Sequence, residues 1–280
     1  MNNKELEELE IDLLLTAIER RYGYNFHNYA RASLKRRIKH CMNGASLATI
    51  TDMLSRIVHD DVFFDGFLSD MSITVTEMFR DASFYLALRE HVIPLLKTYP
   101  FIKIWHAGCA TGEEVYSMAI LLKEAGIYER CQIYATDYNK RSLAIAEEGI
   151  YKASLVKDFT HNYHEAGGEE SFSDYYSAHY ESAKMDKKLK ENMTFAHHNM
   201  VSDGVFGEMN MVVCRNVMIY FNKTLQSQVL NLFLDSLCHG GLLCLGSKET
   251  VEYSDVADQF GIVSKTEKIY KKAMGKKQYD

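Results

Sequence analysis

The chain has 280 residues, 47% of them hydrophobic and 25% charged, which is enough apolar sequence to bury a core and excludes a disordered or fibrous chain. Lys and Arg total 32 against 38 Asp and Glu, a formal charge of -6, so phosphate backbones and anionic lipid repel the molecule as a whole and a nucleic-acid partner is not expected. No apolar run is long enough to span a bilayer, and the polar, acidic start from Met1 to Glu10 is unlike a secretory signal, which predicts a cytoplasmic protein without membrane insertion.

At the N-terminus, Leu13, Leu14, Ala17 and Ile18 recur at helical spacing ahead of Arg20 and Arg21, and nothing before Pro100 alternates like a strand. Arg31, Lys35 and Lys39 follow at i, i+4 spacing on one helix face, with Arg36 and Arg37 beside them. Such a stripe is either a solvated face or, on an acidic chain, a dock for an acidic partner helix. Ser46 is placed to cap a helix through Ile50, Met53, Leu54 and Ile57, and Phe63, Phe64, Phe67 and Leu68 predict another amphipathic turn. The stretch Thr74-Val75-Thr76-Glu77-Met78-Phe79-Arg80-Asp81 reads locally as a capped helix start with Thr76 as the cap. Pro100 precedes an abrupt change of pattern, so a helical domain is expected over 1–99 and a second domain over 100–280.

From Phe101 onward, β-rich runs alternate with helical stretches. The runs are Ile102 to Ala107, Gln132 to Thr136, Met193 to Ala196, Met211 to Cys214 and Leu242 to Leu245, a pattern of α/β architecture with a parallel sheet covered on both faces. Residues 151–192 break the rhythm with Gly167, Gly168 and a Tyr/Phe-rich piece from Phe172 to Tyr180, which predicts a small inserted subdomain. Ile262 to Ala273 alternates apolar and charged residues like a half-exposed edge strand. The six cysteines form no CxxC pair and read as reduced core residues. His161 with His164, and adjacent His197 and His198, lack a ligand set, so no metal is expected.

Three constellations carry chemistry. The first strand ends in Ala107-Gly108-Cys109-Ala110-Thr111-Gly112-Glu113-Glu114, a turn whose glycines let backbone approach a ligand while acids fill the first helical turn. A phosphate would be repelled there, and a ligand bearing an ammonium or sulfonium group fits; alone, the turn is equally a strand-to-helix connection with acids favoured at a helix start. Asp137 ends the second strand, where a carboxylate can accept both hydroxyls of an adenosine ribose. Together they specify an adenosine-type ligand without phosphates, of which S-adenosylmethionine is the common one. The third is the strand Met211 to Cys214 running into Arg215-Asn216-Val217-Met218-Ile219-Tyr220-Phe221, preceded by Asn199-Met200.

TVTEMFRD, AGCATGEE, ATD, HNM and CRNVMIYF stand in the order of one family, and over nearly its whole length the chain resembles the CheR-type chemotaxis receptor methyltransferases. The resemblance implies an N-terminal all-helical domain, a Rossmann-like S-adenosylmethionine-dependent methyltransferase domain and an inserted antiparallel β subdomain. It implies transfer of a methyl group to glutamate side chains in the cytoplasmic helical region of chemoreceptors, leaving S-adenosylhomocysteine, by a monomeric enzyme. By position it carries cofactor roles to Thr74, Thr76, Arg80, Ala107, Gly108, Glu113, Asp137, Asn199, Met200, Arg215 and Asn216, and places Arg80 and Tyr220 beside the transferred methyl. The stripe of Arg31, Lys35, Arg36 and Lys39 becomes the expected substrate dock. Met78 stands where the family has the first of two phenylalanines, Val115 where it often has proline, and Gly246-Ser247-Lys248-Glu249 replaces its Gly-His-Ser-Glu, so another protein or a small molecule is an alternative acceptor. A module that binds the cofactor without turnover is a third reading.

Overall fold

A computed structural model describes residues 2–72 and 76–273. The chain divides into two compact units, Met1–Ile73 with Val201–Asp203 and Tyr220–Val229, and Thr74–Met200 with Gly204–Ile219 and Leu230–Asp280.

The first unit is built on four helices, α1 (Asn3–Tyr22), α2 (Arg31–Gly44), α3 (Ile50–His59) and α4 (Asp61–Met71). Asn2 and Glu5 close a reciprocal capping box on α1, which buries Ile11, Leu14, Leu15 and Ile18 on one face and stops at Gly23, whose φ of 77° only glycine adopts freely. Helix α3 is capped by Thr49, not Ser46: the Thr49 side chain accepts from the Asp52 N–H and Asp52 reaches back, a box that Ser46, three residues earlier at φ 54°, cannot form.

The second unit holds a seven-stranded sheet in the order β6-β2-β1-β7-β8-β10-β9. Its strands are β1 (Ile102–Ala107), β2 (Cys131–Asp137), β6 (Met193–His197), β7 (Met209–Cys214), β8 (Leu237–Leu245), β9 (Phe260–Ser264) and β10 (Ile269–Lys272). β6, β2, β1, β7 and β8 are mutually parallel, and β10 pairs antiparallel with both β8 and β9. The parallel strands read as near-continuous apolar runs because helices α7 (Glu113–Glu124), α8 (Lys140–Glu148) and α10 (Lys223–Ser236) alternate with them. A separate three-stranded antiparallel sheet, β3-β5-β4, is formed by β3 (Ile150–Lys152), β4 (Tyr176–His179) and β5 (Ser182–Met185), with α9 (Val156–Glu165) between its first two strands. The fold is thus a Rossmann-like sheet with a small antiparallel insertion and an all-helical N-terminal unit.

Two further expectations change. The units part at Ile73 and Thr74, ahead of Pro100, because α5 (Ala82–Ala87), the π-helical turn Leu88–Val92 and α6 (Ile93–Leu96) bury Phe84, Leu88, Val92 and Leu96 in the same core as Ile102 and Ile104. Composition marks where helix gives way to strand, whereas the units follow packing. The C-terminal run is two strands instead of one: the chain reverses after Ser264 and re-enters through Lys268 at φ 53°, so β9 is the edge and β10 lies inside. Among the described residues, no helix is long and apolar enough to cross a membrane.

Candidate functional site

The carboxyl ends of β6, β2, β1 and β7 lie side by side on one edge of the sheet, and the order reverses direction at β1, where open α/β sheets bind ligands. β1 delivers Ala107 into the glycine turn. Gly108 sits at φ 78°, Ala110 at 47° and Gly112 at 91°, and the Gly108 and Cys109 N–H groups both donate to the Thr136 carbonyl at 2.8 and 2.9 Å. A Cβ on Gly108 would stand 2.9 Å from Val217 Cγ2 and 3.5 Å from Met200 Cε; on Gly112 it would stand 2.8 Å from Ala146 Cβ. Glycine is required at both, and the turn is drawn tightly against β2 and α8.

Asp137 ends β2 with one carboxylate oxygen accepting the Ala110 N–H at 2.9 Å and the other the Asn139 N–H at 2.8 Å. Burial pushes its pKa up against those bonds. Each oxygen keeps a further lone pair for an incoming hydroxyl. Glu113, the first residue of α7, is only 5% exposed; it accepts from the Thr111 hydroxyl at 2.6 Å, and burial pushes it up to about 7. Asn199 is buried and Met200 half-buried just beyond β6, where the His198 N–H donates to the Asp137 carbonyl at 3.2 Å.

Arg215, leaving β7, holds a buried ionic network. Its guanidinium donates to Asp81 at 2.7 Å and Glu114 at 2.9 Å, reaches the Arg80 carbonyl at 3.5 Å and lies 3.9 Å from the Phe84 ring centroid. Glu114 also meets His106 Nδ1 at 3.2 Å; burial pushes Glu114 up, but His106 and Arg215 outweigh it and leave its carboxyl below the usual range. The segment so tied is strained, since Phe79 and Asp81 flank Arg80 with φ of 54° and 58°. Phe79 is anchored by its N–H to Ser117 Oγ at 2.9 Å, and Asn162 donates to the Met78 carbonyl at 3.1 Å. Helix α5 therefore starts at Ala82 with Asp81 in the N-cap position, its carboxylate serving Arg215, and Thr76 is half-buried ahead of it without the cap role.

Glu249, a mere tail of a motif in sequence, is 5% exposed and accepts four backbone N–H groups: Gly246 at 2.7, Val217 at 2.9, Asn216 at 3.0 and Ile219 at 3.3 Å. It fixes Asn216 at φ 61°, a left-handed turn at the end of β7.

The sheet edge thus gathers Ala107, Gly108, Glu113, Asp137, Asn199, Met200, Arg215 and Asn216, with Arg80 joined through its carbonyl. Arg215 and Asn216 have structural partners that sequence did not foresee, Asp81, Glu114 and Glu249; only the acids' proximity in space reveals them. Thr74 lies outside the described residues. Tyr220 is half-buried and belongs to the helical unit, where the Ala30 N–H donates to its carbonyl at 2.7 Å. The basic stripe is also there, and three of its four cations are paired with acids. Arg31 pairs with Glu8 at 2.7 Å and Asp12 at 2.8 Å, Lys35 with Glu7 at 2.5 Å, and Lys39 with Glu7 at 2.7 Å; Arg36 is exposed.

The donor set fits a cationic nucleoside without phosphates. Glu113 and Asp137 face the glycine turn, no Lys or Arg lies between Ala107 and Glu114, and the Arg215 charge is consumed by Asp81 and Glu114. An anion would meet Glu113, in the first turn of α7, with no cation beside it.

Comparison with known proteins agrees. Residues 74–269 match the family model described as CheR methyltransferase, SAM binding domain, and residues 9–72 match the CheR methyltransferase all-alpha domain. A Pseudomonas putida protein named methyltransferase Cher3 is 48% identical over 273 residues, 98% of this chain and 100% of that one. Chemotaxis protein methyltransferases from Listeria monocytogenes and Rhizobium etli are 26% and 30% identical, covering 88% and 75% of this chain and 92% and 80% of theirs. S-adenosylmethionine is the cofactor that the matched domain binds.

Proposed function

Because the chain belongs to the CheR methyltransferase family, we propose that it methylates glutamate side chains in the cytoplasmic helical region of a chemoreceptor, and that it does so in the cytoplasm. The observation that carries the chemistry is the pairing of buried Glu113 and Asp137 across a glycine turn that has no cation for a phosphate. The names of the Listeria and Rhizobium relatives support the choice of acceptor.

When bound, S-adenosylmethionine would supply an electrophilic sulfonium methyl to a carboxylate oxygen, with S-adenosylhomocysteine as the leaving group. A glutamate is already ionised near neutral pH, so no general base is needed and alignment supplies the rate. Ionised Glu113 balances the cation, Asp137 accepts the ribose hydroxyls, and Ala107, Gly108, Asn199, Met200 and Asn216 shape the walls. Arg80 orients a carboxylate, and Tyr220 donates a hydrogen bond near the reacting centre; Thr74 and Thr76 complete the cofactor contacts. Arg215 acts at one remove, holding the Arg80 segment.

A second acceptor is favoured by one observation, the pairing of Arg31, Lys35 and Lys39 with acids of α1, which leaves a receptor's acidic helix less to recognise on α2. Incubating the protein with methyl-labelled cofactor and receptor-bearing membranes distinguishes the two. Label released as methanol by mild base, from a band of receptor size, supports the glutamate ester; base-stable label or a different band overturns that acceptor.

A further inference from the structure

We infer that Arg37 of the helical unit is a positioning residue for Tyr220. The inference rests on the reading that Tyr220 works beside the transferred methyl, and it assigns the helical unit a share in turnover. The Arg37 guanidinium carbon stands 4.9 Å from the centroid of the Tyr220 ring, and Nη1 donates to the Met71 carbonyl at the end of α4.

The backbone around Tyr220 is already fixed. The Tyr220 carbonyl accepts the Ala30 N–H at 2.7 Å, Phe221 bridges to Tyr29, their rings pack edge to face at 5.0 Å, and the Asn222 N–H donates to the Asn28 carbonyl at 2.8 Å. These contacts set the Cα–Cβ direction and leave the two side-chain torsions of Tyr220 to be chosen by whatever covers its ring. Arg37 covers one face. A cation over an aromatic ring is attracted by its quadrupole, and the flat guanidinium can stack there while an edge N–H serves the Met71 carbonyl. Lysine can fill one of those tasks but not both.

Arg37 is also set apart from the other cations of α2. Arg31, Lys35 and Lys39 point to the acids of α1, and Arg37, two residues from Lys35, lies roughly 200° around the helix from it. One helix thus presents a structural ion-pair face to α1 and a single arginine to the tyrosine.

A double-mutant cycle in the full chain tests this. Arg37→Met, Arg37→Lys, Tyr220→Phe and the Arg37→Met/Tyr220→Phe pair are compared for kcat and KM of labelled methyl transfer to receptor-bearing membranes, with S-adenosylhomocysteine affinity measured by calorimetry. Each Arg37 variant is expected to lower kcat on the order of tenfold without changing KM or product affinity. In the Tyr220→Phe background the Arg37 change should cost nothing more. Losses that multiply would overturn the inference, because Arg37 would then act elsewhere, and so would full turnover in Arg37→Lys. Should Arg37→Met fail to fold, Arg37→Lys enters the cycle in its place. Unchanged turnover in Tyr220→Phe would remove the role of Tyr220 and this inference together, while retained product affinity would leave the methyltransferase reading standing.

Discussion

Arg215 reaches Asp81 at 2.7 Å across 134 positions of sequence, and through that bond the end of a central strand holds the strained segment that carries Arg80. The Arg215 side chain is 2% exposed and that of Glu114 20%, so removing the cation leaves a carboxylate with little water to replace it. Arg215→Met is expected to lower unfolding free energy by about 3 kcal/mol, the low end for a broken buried pair because Asp81 is partly solvated. Urea denaturation measures this. Arg215→Lys should recover less than half, since an ammonium cannot serve both acids in the fork geometry. Stability equal to wild type in both variants would show that the network is not structural.

Glu249→Gln keeps the shape of the side chain and removes the charge from four converging N–H groups. The amide can turn only one oxygen toward them and must aim its own NH2 at a donor. The expected cost is about 2–4 kcal/mol in urea unfolding, with a parallel loss of S-adenosylhomocysteine affinity as the Asn216 turn relaxes from φ 61°. A destabilised variant with intact affinity would separate Glu249 from the cofactor site.

The parallel strands were legible because burial on both faces writes them as short apolar runs, and β1, β2, β6 and β7 fall where those runs lie. The glycine turn and Asp137 were legible because the restraint is local: a close backbone approach needs Gly108 and Gly112 wherever the rest of the chain goes. The ionic network was not. Asp81, Glu114 and Arg215 are ordinary charged residues in sequence, and only the parallel register that brings the end of β7 beside the end of β1 makes them partners. The ion pairs of α2 were hidden for a similar reason: its spacing showed one helix face but not that Glu7, Glu8 and Asp12 of α1 would meet it.

Burial pushes Glu113 up to about 7, well above its ordinary 4.5, so near neutral pH part of the unliganded population holds a proton there, which a cationic ligand expels. The sign follows from linkage. A raised acid costs the fold stability as pH climbs from its unfolded value toward its folded one, and a ligand that prefers the ionised form binds more tightly over the same rise. S-adenosylmethionine affinity is expected to increase roughly tenfold from about pH 6 to about pH 8, with proton release visible as a buffer-dependent calorimetric heat. Glu113→Gln should flatten the profile. A flat wild-type profile would place the ligand's charge away from Glu113.

The ladder between α1 and α2 makes a charge-reversal experiment ambiguous unless it is paired with its complement. Lys35→Glu sets a new carboxylate where an ammonium now meets Glu7 at 2.5 Å and Glu8 at 3.9 Å, so stability should fall by about 1 kcal/mol for that reason alone. Lys35→Glu with Glu7→Lys restores opposite signs across the contact and should regain most of the loss, although residue 7 then faces Lys39. If α2 recruited an acidic helix by its net charge, the swapped protein would still lose substrate capture, and the fall of turnover with added salt would weaken. Because the three cations are already balanced by Glu7, Glu8 and Asp12, the swap is expected to transfer methyl groups at the wild-type rate with an unchanged salt dependence. A swap that folds as well as wild type yet captures substrate several-fold less well would support the docking role of this face, with the acids of α1 as competitors that the substrate displaces.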